Sequence, residues 1–237
     1  MHQLRKLLIA NRHNSGRRFE VLQAADTSAA DIYLYDAIVN DEMEAEYFGG
    51  VAAGSFVRAL NAISAPVINL RINSPGGSVF AARAMEQALR EHPSKVVAHI
   101  DGLAASAASF LMMAADEIVM APGALVMIHK GWTLSMGNAD DMRSSADLLD
   151  KIDGTLVATY AARSKQTPET ILQWMADETW FTAQEAIDNG LADSIAEGKK
   201  VAAKWDTSAY GNAPPSARDD DTAALLRRLS IAERTTA

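Results

Sequence analysis

The chain contains no cysteine among its 237 residues. That excludes disulfides, thiolate metal sites and cysteine nucleophiles, and leaves nothing that points to an oxidising compartment. Histidine is sparse, at five residues, and no glycine-rich loop ends in Lys-Ser or Lys-Thr, so neither a metal site, a nucleotide site nor any other cofactor site is readable. Long apolar runs are missing too. Leu7–Ala10 is too short for the core of a signal peptide, and Gly102–Ala115 falls short of the roughly 20 residues that span a bilayer. Basic residues are outnumbered, 22 against 30, for a net charge of −8, a poor match to a phosphate backbone. These absences predict a cytoplasmic protein with neither nucleic acid nor membrane as its main partner.

What is present is an ordinary globular composition, 49% hydrophobic and 22% charged, in a length that suits one large domain with additions. Residues 1–30 carry no lasting period and read as an N-terminal arm with one short strand near Phe19–Leu22. From Asp31 a βα alternation sets in. Strands are predicted at Ile32–Val39, Val67–Ile72, Val96–Ile100, Glu117–Met120 and Leu125–Ile128; helices at Tyr47–Ile63, Val79–His92, Ser106–Ala115, Asp140–Ser164, Pro168–Met175 and Ala183–Asn189. Repeated βα units imply an α/β fold with a mostly parallel sheet covered by helices, here over residues 31–196. Residues 197–237, rich in Lys, Asp, Ser and Pro, read as a peripheral charged linker ending in a short helix near Ala223–Arg234.

Parallel sheets bind ligands at the carboxyl ends of their strands, and three motifs stand at such ends. Asn73–Ser78 carries Gly76-Gly77, whose backbone freedom lets amides turn toward an anion. Ser106, between Ala105 and Ala107 at a helix start, is a candidate nucleophile, with the Ala107 amide pointing outward; Ser109 reads as packing. A serine hydroxyl needs a base, and His129, at the end of the next usable strand, is the choice over His2, His13, His92 and His99. A carboxylate should orient the imidazole. Glu178 and Asp177, just ahead of Trp180-Phe181, are the candidates, and no spacing rule selects between them.

With Ser-Pro-Gly-Gly-Ser, Gly-Leu-Ala-Ala-Ser-Ala-Ala-Ser, Val-Met-Ile-His and Ala-Gln-Glu-Ala-Ile-Asp-Asn-Gly-Leu-Ala-Asp-Ser-Ile in this order, Asp31–Ile195 resembles the Clp protease proteolytic subunit (ClpP) family. Its arm, short loop after His129 and charged tail look most like the phage and prophage branch of head maturation proteases. The resemblance implies a crotonase-like fold with a protruding helix at Asp140–Ser164 that mediates ring stacking, and a homo-oligomer built as a heptameric ring or a double ring. It implies Ser106 as nucleophile, His129 as base, and the amides of Gly77 and Ala107 as oxyanion hole, with Gly76 and Ser78 beside the substrate. Gapless alignment puts the third triad member at Glu178, where the family usually has aspartate, with Asp177 the alternative. Peptides or unfolded chains would be substrates; in a phage setting these would be capsid, scaffold or portal segments within an assembling capsid. The N-terminus has no obvious match to the loops that dock unfoldase ATPases.

The expected activity is therefore serine endopeptidase chemistry through an acyl-enzyme, with no nucleotide at the site itself. Two rivals stand beside it. One is a serine–lysine peptidase of the signal peptide peptidase type using Lys130, although adjacent strand residues face opposite sides. The other is a non-catalytic ring protein or acyl-thioester binder on the same fold.

Overall fold

The computed structural model describes residues 3–11, 16–23, 28–197 and 205–214. The chain opens with α1 (Gln3–Ala10), β1 (Arg18–Gln23), β2 (Ala29–Tyr35), β3 (Ile38–Val39), α2 (Glu42–Phe48), β4 (Val51–Ala52) and α3 (Ala53–Asn61). The central units follow as β5 (Val67–Ser74), α4 (Val79–Glu91), β6 (Lys95–Ala105), α5 (Ala107–Leu111), a 3₁₀ turn at Met112–Ala114, β7 (Glu117–Met120) and β8 (Leu125–Ile128). Then come the long α6 (Ala139–Ser164), α7 (Pro168–Ala176), β9 (Thr179–Thr182), α8 (Ala183–Asp188) and β10 (Ser194–Ile195).

Eight strands form one sheet in the order β1-β2-β5-β6-β7-β10. β6 pairs with β7 along Val97–Ile100 and then with β8 along Leu103–Ala105. β8 carries β9 on its other edge. Among the described strands, only the β1–β2 and β8–β9 pairs are antiparallel. The mostly parallel α/β sheet expected from the βα repeats is thus present. The predicted strand Ile32–Val39 divides into β2 and β3 at Asp36-Ala37, and the predicted helix Tyr47–Ile63 divides into the end of α2, the short β4 and α3, because the chain turns at Gly49-Gly50 with φ of 73° and 113°.

Alternation along β2 and β5 points Ile32, Leu34, Ile68, Leu70 and Ile72 to one side, where all are fully buried. Phe56 and Leu60 of α3 and Met85 and Leu89 of α4 close over them. Each such side chain contributes roughly 1.5–3 kcal/mol by leaving water. Helix α6 starts with a capping box, Asn138 to Asp141, which satisfies its first amides. Its buried residues are confined to Asp153, Leu156, Tyr160 and Ser164. The half before Ile152 therefore projects from the body, with Met142 and Leu148 exposed.

A second apolar cluster lies behind β6 and β8: Leu7, Leu103, Ala105, Met127, Trp205, Tyr210 and Ala213. Residues 205–214, assigned above to a peripheral linker, are packed into the body, because Trp205 and Tyr210 bury where the average polarity of the tail gives no warning. The arm likewise contributes α1 and β1, with Leu7 and Leu8 buried. The helix expected near Ala223–Arg234 lies outside the described residues.

Candidate active site

β6 runs into the body and stops at Ala105; α5 starts at Ala107; between them Ser106 takes φ 53° and ψ −122°. A non-glycine residue at positive φ costs on the order of 1–3 kcal/mol and persists only where its surroundings hold it. The Ser106 amide donates to Met127 O at 2.9 Å. The Ser106 carbonyl accepts from the Ser109 amide at 2.9 Å and from Ser109 Oγ at 2.6 Å. Ser109 Oγ lies 2.7 Å from the Tyr160 hydroxyl of α6. Ser109, read from sequence as packing, thus clamps the turn as well.

His129 follows β8 directly. The Lys130 amide donates to Met175 O at 3.0 Å, and the Gly131 amide to Asp153 Oδ1 at 2.7 Å. So fixed, His129 presents Nε2 at 2.7 Å from Ser106 Oγ. Burial pulls the imidazole down to about 4, the negative charge of Glu178 opposing this only in part. His129 is accordingly neutral near pH 7, with a basic nitrogen against the hydroxyl.

The Gly-Gly motif meets this pair from β5. Ile38 of β3 donates to Gly76 O at 2.8 Å and accepts from the Ser78 amide at 2.9 Å, which turns the intervening Gly77 N–H to the opposite side. Gly76 has φ 86°, and a Cβ there would lie 2.4 Å from Ala105 O and 2.8 Å from Ala107 N. Only a residue without a side chain brings the two loops this close. The amides of Gly77 and Ala107 have no hydrogen-bond acceptor among the described residues. Ser78 caps α4, accepting from the Ala81 amide at 3.3 Å and donating to Asn40 Oδ1 at 2.6 Å.

Gly77, Ala107, Ser106 and His129 share a cleft of about 300 Å³ that runs toward α6. Phe80, Phe110, Trp132, Leu134 and Leu149 give it an apolar lining. Lys130 also lines it and is exposed.

The two candidate carboxylates part company. Asp177 is exposed and accepts from Gln173 Nε2 at 2.8 Å. Glu178, at φ 49°, is half-buried. Its oxygens accept from the amides of Gly211 at 3.0 Å and Asn212 at 2.6 Å, and from Trp180 Nε1 at 3.4 Å. Among the described residues no hydrogen bond joins Glu178 to His129; its charge reaches the imidazole through space. The Tyr210 side chain beside this pair escaped the sequence reading.

These features define an α/β protein whose parallel strands deliver a serine–histidine pair, and two amides without an acceptor among the described residues, to one cleft. The model of the Clp protease family matches residues 39–199, and the chain belongs to that family. It is 35% identical over 132 residues to the ATP-dependent Clp protease proteolytic subunit 3 of Streptomyces coelicolor, covering 55% of this chain and 61% of that protein. It is also 35% identical over 141 residues to proteolytic subunit 1 of Leifsonia xyli, covering 57% of this chain and 70% of the relative. Proteolytic subunit 2 of Corynebacterium glutamicum is 35% identical over 136 residues, covering 55% of this chain and 68% of the relative. The chain thus spans between 61% and 70% of the length of these three relatives.

Proposed function

We propose that the protein is a serine endopeptidase that opens peptide bonds through an acyl-enzyme. The observation that carries the reading is the 2.7 Å approach of His129 Nε2 to Ser106 Oγ, opposite the free amides of Gly77 and Ala107. Ser106 Oγ attacks the scissile carbonyl carbon while Nε2 of His129 takes its proton. The carbonyl oxygen becomes an oxyanion and accepts from the Gly77 and Ala107 N–H groups, whose orientation is already set, so no reorganisation is needed as charge develops. His129 then gives the proton to the departing amine. Water, deprotonated by the same imidazole, releases the acyl group and restores Ser106. Glu178 serves as the acidic member, its charge stabilising the imidazolium; Asp177, turned to solvent, has no such coupling. The chemistry draws on no nucleotide. Extended or unfolded peptides suit the apolar cleft, which receives side chains along its length.

A fluorophosphonate probe followed by peptide mapping tests this reading. The adduct is expected on Ser106. His129→Ala should abolish labelling and Lys130→Ala should leave its rate within about threefold, since Nε2 already holds the position a lysine amine needs. An adduct elsewhere, or a lysine-dependent one, overturns it. Saturable acyl-thioester binding without labelling supports the non-catalytic alternative.

We also infer a homo-oligomeric ring of seven. The projecting half of α6 with exposed Met142 and Leu148 supports this, because unpartnered apolar residues on a protruding helix mark contact surfaces. Light scattering should report particles of about seven or fourteen times the 25.4 kDa subunit mass; monomers alone would refute it.

A further inference from the structure

We propose that Trp205–Ala213 forms the rear wall of the active site, with Tyr210 a positioning residue that holds Ser106 and His129 in register and the Gly211 and Asn212 amides holding Glu178. The proposal rests on the serine peptidase reading and adds to it a segment beyond the 39–199 match to the family.

Tyr210 is buried at 5% exposure. Its hydroxyl donates to the Pro75 carbonyl, within the Asn73–Ser78 motif that carries the Gly77 amide, and lies beside the Ser106 side chain. Its ring meets the His129 imidazole edge to face, centroids 5.5 Å apart at 78°, and stands likewise against Trp180 at 6.0 Å. One side chain therefore stands against the base and binds the loop bearing an oxyanion donor, with the nucleophile beside it. Burial pushes the phenol well above its ordinary range, so it remains a neutral donor.

The rest of the segment is anchored at both ends. Trp205 Nε1 donates to Asn73 O at 3.2 Å. Asp206 and Asn11 exchange two hydrogen bonds, at 2.9 Å and 3.0 Å. Asn212 Nδ2 donates to Asp177 O at 2.8 Å while the Gly211 and Asn212 amides bind Glu178. Two amide donors fix a carboxylate that has no bond to the imidazole it serves.

An inhibitory cover would fill the cleft or part the serine from the histidine. Tyr210 does neither. It is absent from the cleft lining, which opens toward α6, and Ser106 and His129 are at 2.7 Å with the segment in place. The groups facing the imidazole are the Ser106 hydroxyl, the Tyr210 ring and, through space, Glu178. Withdrawing the ring admits water to His129 from behind.

The test compares full-length wild type, Tyr210→Phe and Tyr210→Ala. The rate of fluorophosphonate labelling is followed against pH, and the His129 imidazole is titrated by NMR. Tyr210→Ala should slow labelling about 100-fold, the scale on which small displacements of reacting groups act, and raise the His129 midpoint from near 4 toward 6.5. Tyr210→Phe keeps the ring; it should fold, leave the midpoint unchanged and lose about tenfold in rate with the hydroxyl. Should Tyr210→Ala not fold, the Phe variant decides alone: a rate within twofold of wild type refutes the positioning role. Labelling that accelerates in either variant also refutes it, making the segment an inhibitor. Wild type that folds but never labels overturns the peptidase reading; the NMR midpoint then judges the rear wall separately, an unmoved value in Tyr210→Ala rejecting it.

Discussion

Replacing Ser106 with alanine is expected to abolish both peptide hydrolysis and fluorophosphonate labelling, a loss of at least about 10⁴-fold in kcat, while the protein folds as before. The size follows from the chemistry: members of a nucleophile–base pair act as a unit, and removing either costs about as much as removing both. Preservation of the fold follows from the geometry. The strain at position 106 comes from φ 53°, which alanine carries equally. The backbone bonds that hold the turn, from the Ser106 amide to Met127 O and from Ser109 to the Ser106 carbonyl, do not involve the side chain. Only the hydroxyl's bond with His129 disappears, worth about 1 kcal/mol. Retained hydrolysis in a folded Ser106→Ala protein would end the covalent mechanism and direct attention to a water activated by His129.

The reach of sequence reasoning here has physical boundaries. Strands β5, β6 and β8 were legible because runs of β-branched and aliphatic residues alternate with helical spacing, and the three motifs were legible because they stand at strand ends, where a parallel sheet places its chemistry. That Ser106 and His129 meet is a consequence of β6 and β8 being neighbours, although β7 lies between them in the chain. β9 and β10 were missed: four and two residues long, they are too short to show a period. The choice between Asp177 and Glu178 was closed to sequence because it depends on a positive φ at Glu178 and on amides 33 and 34 residues away. Trp205 and Tyr210 were hidden by averaging. A window dominated by Lys, Asp and Ser reads as solvated, yet two large aromatics within it are themselves a signal of burial.

Substituting Gly77 with alanine should cost far more than any other backbone change in the site, and it separates the backbone half of the site from the side-chain half. Gly77 has φ 148°, and its added Cβ would lie 1.9 Å from Ile38 O and 2.9 Å from Ile38 N. Those are main-chain atoms of β3, paired with the motif on both sides, so no flexible side chain can yield. The strand and the loop must separate, and the Gly77 N–H must leave the direction in which a nascent oxyanion needs it. Loss of one such donor costs about 10²–10³-fold in kcat, with a further loss of stability of about 1–3 kcal/mol from the strained backbone. Gly154→Ala supplies the contrast. Nothing lies within 4 Å of its Cβ and it sits inside α6, where alanine should stabilise the helix by up to about 1 kcal/mol. Denaturant unfolding should shift in opposite directions for the two variants, and labelling should slow in Gly77→Ala alone, if backbone crowding governs the first. A Gly77→Ala protein that labels at the wild-type rate would show that this amide does not receive the oxyanion, leaving Ala107 as the sole donor.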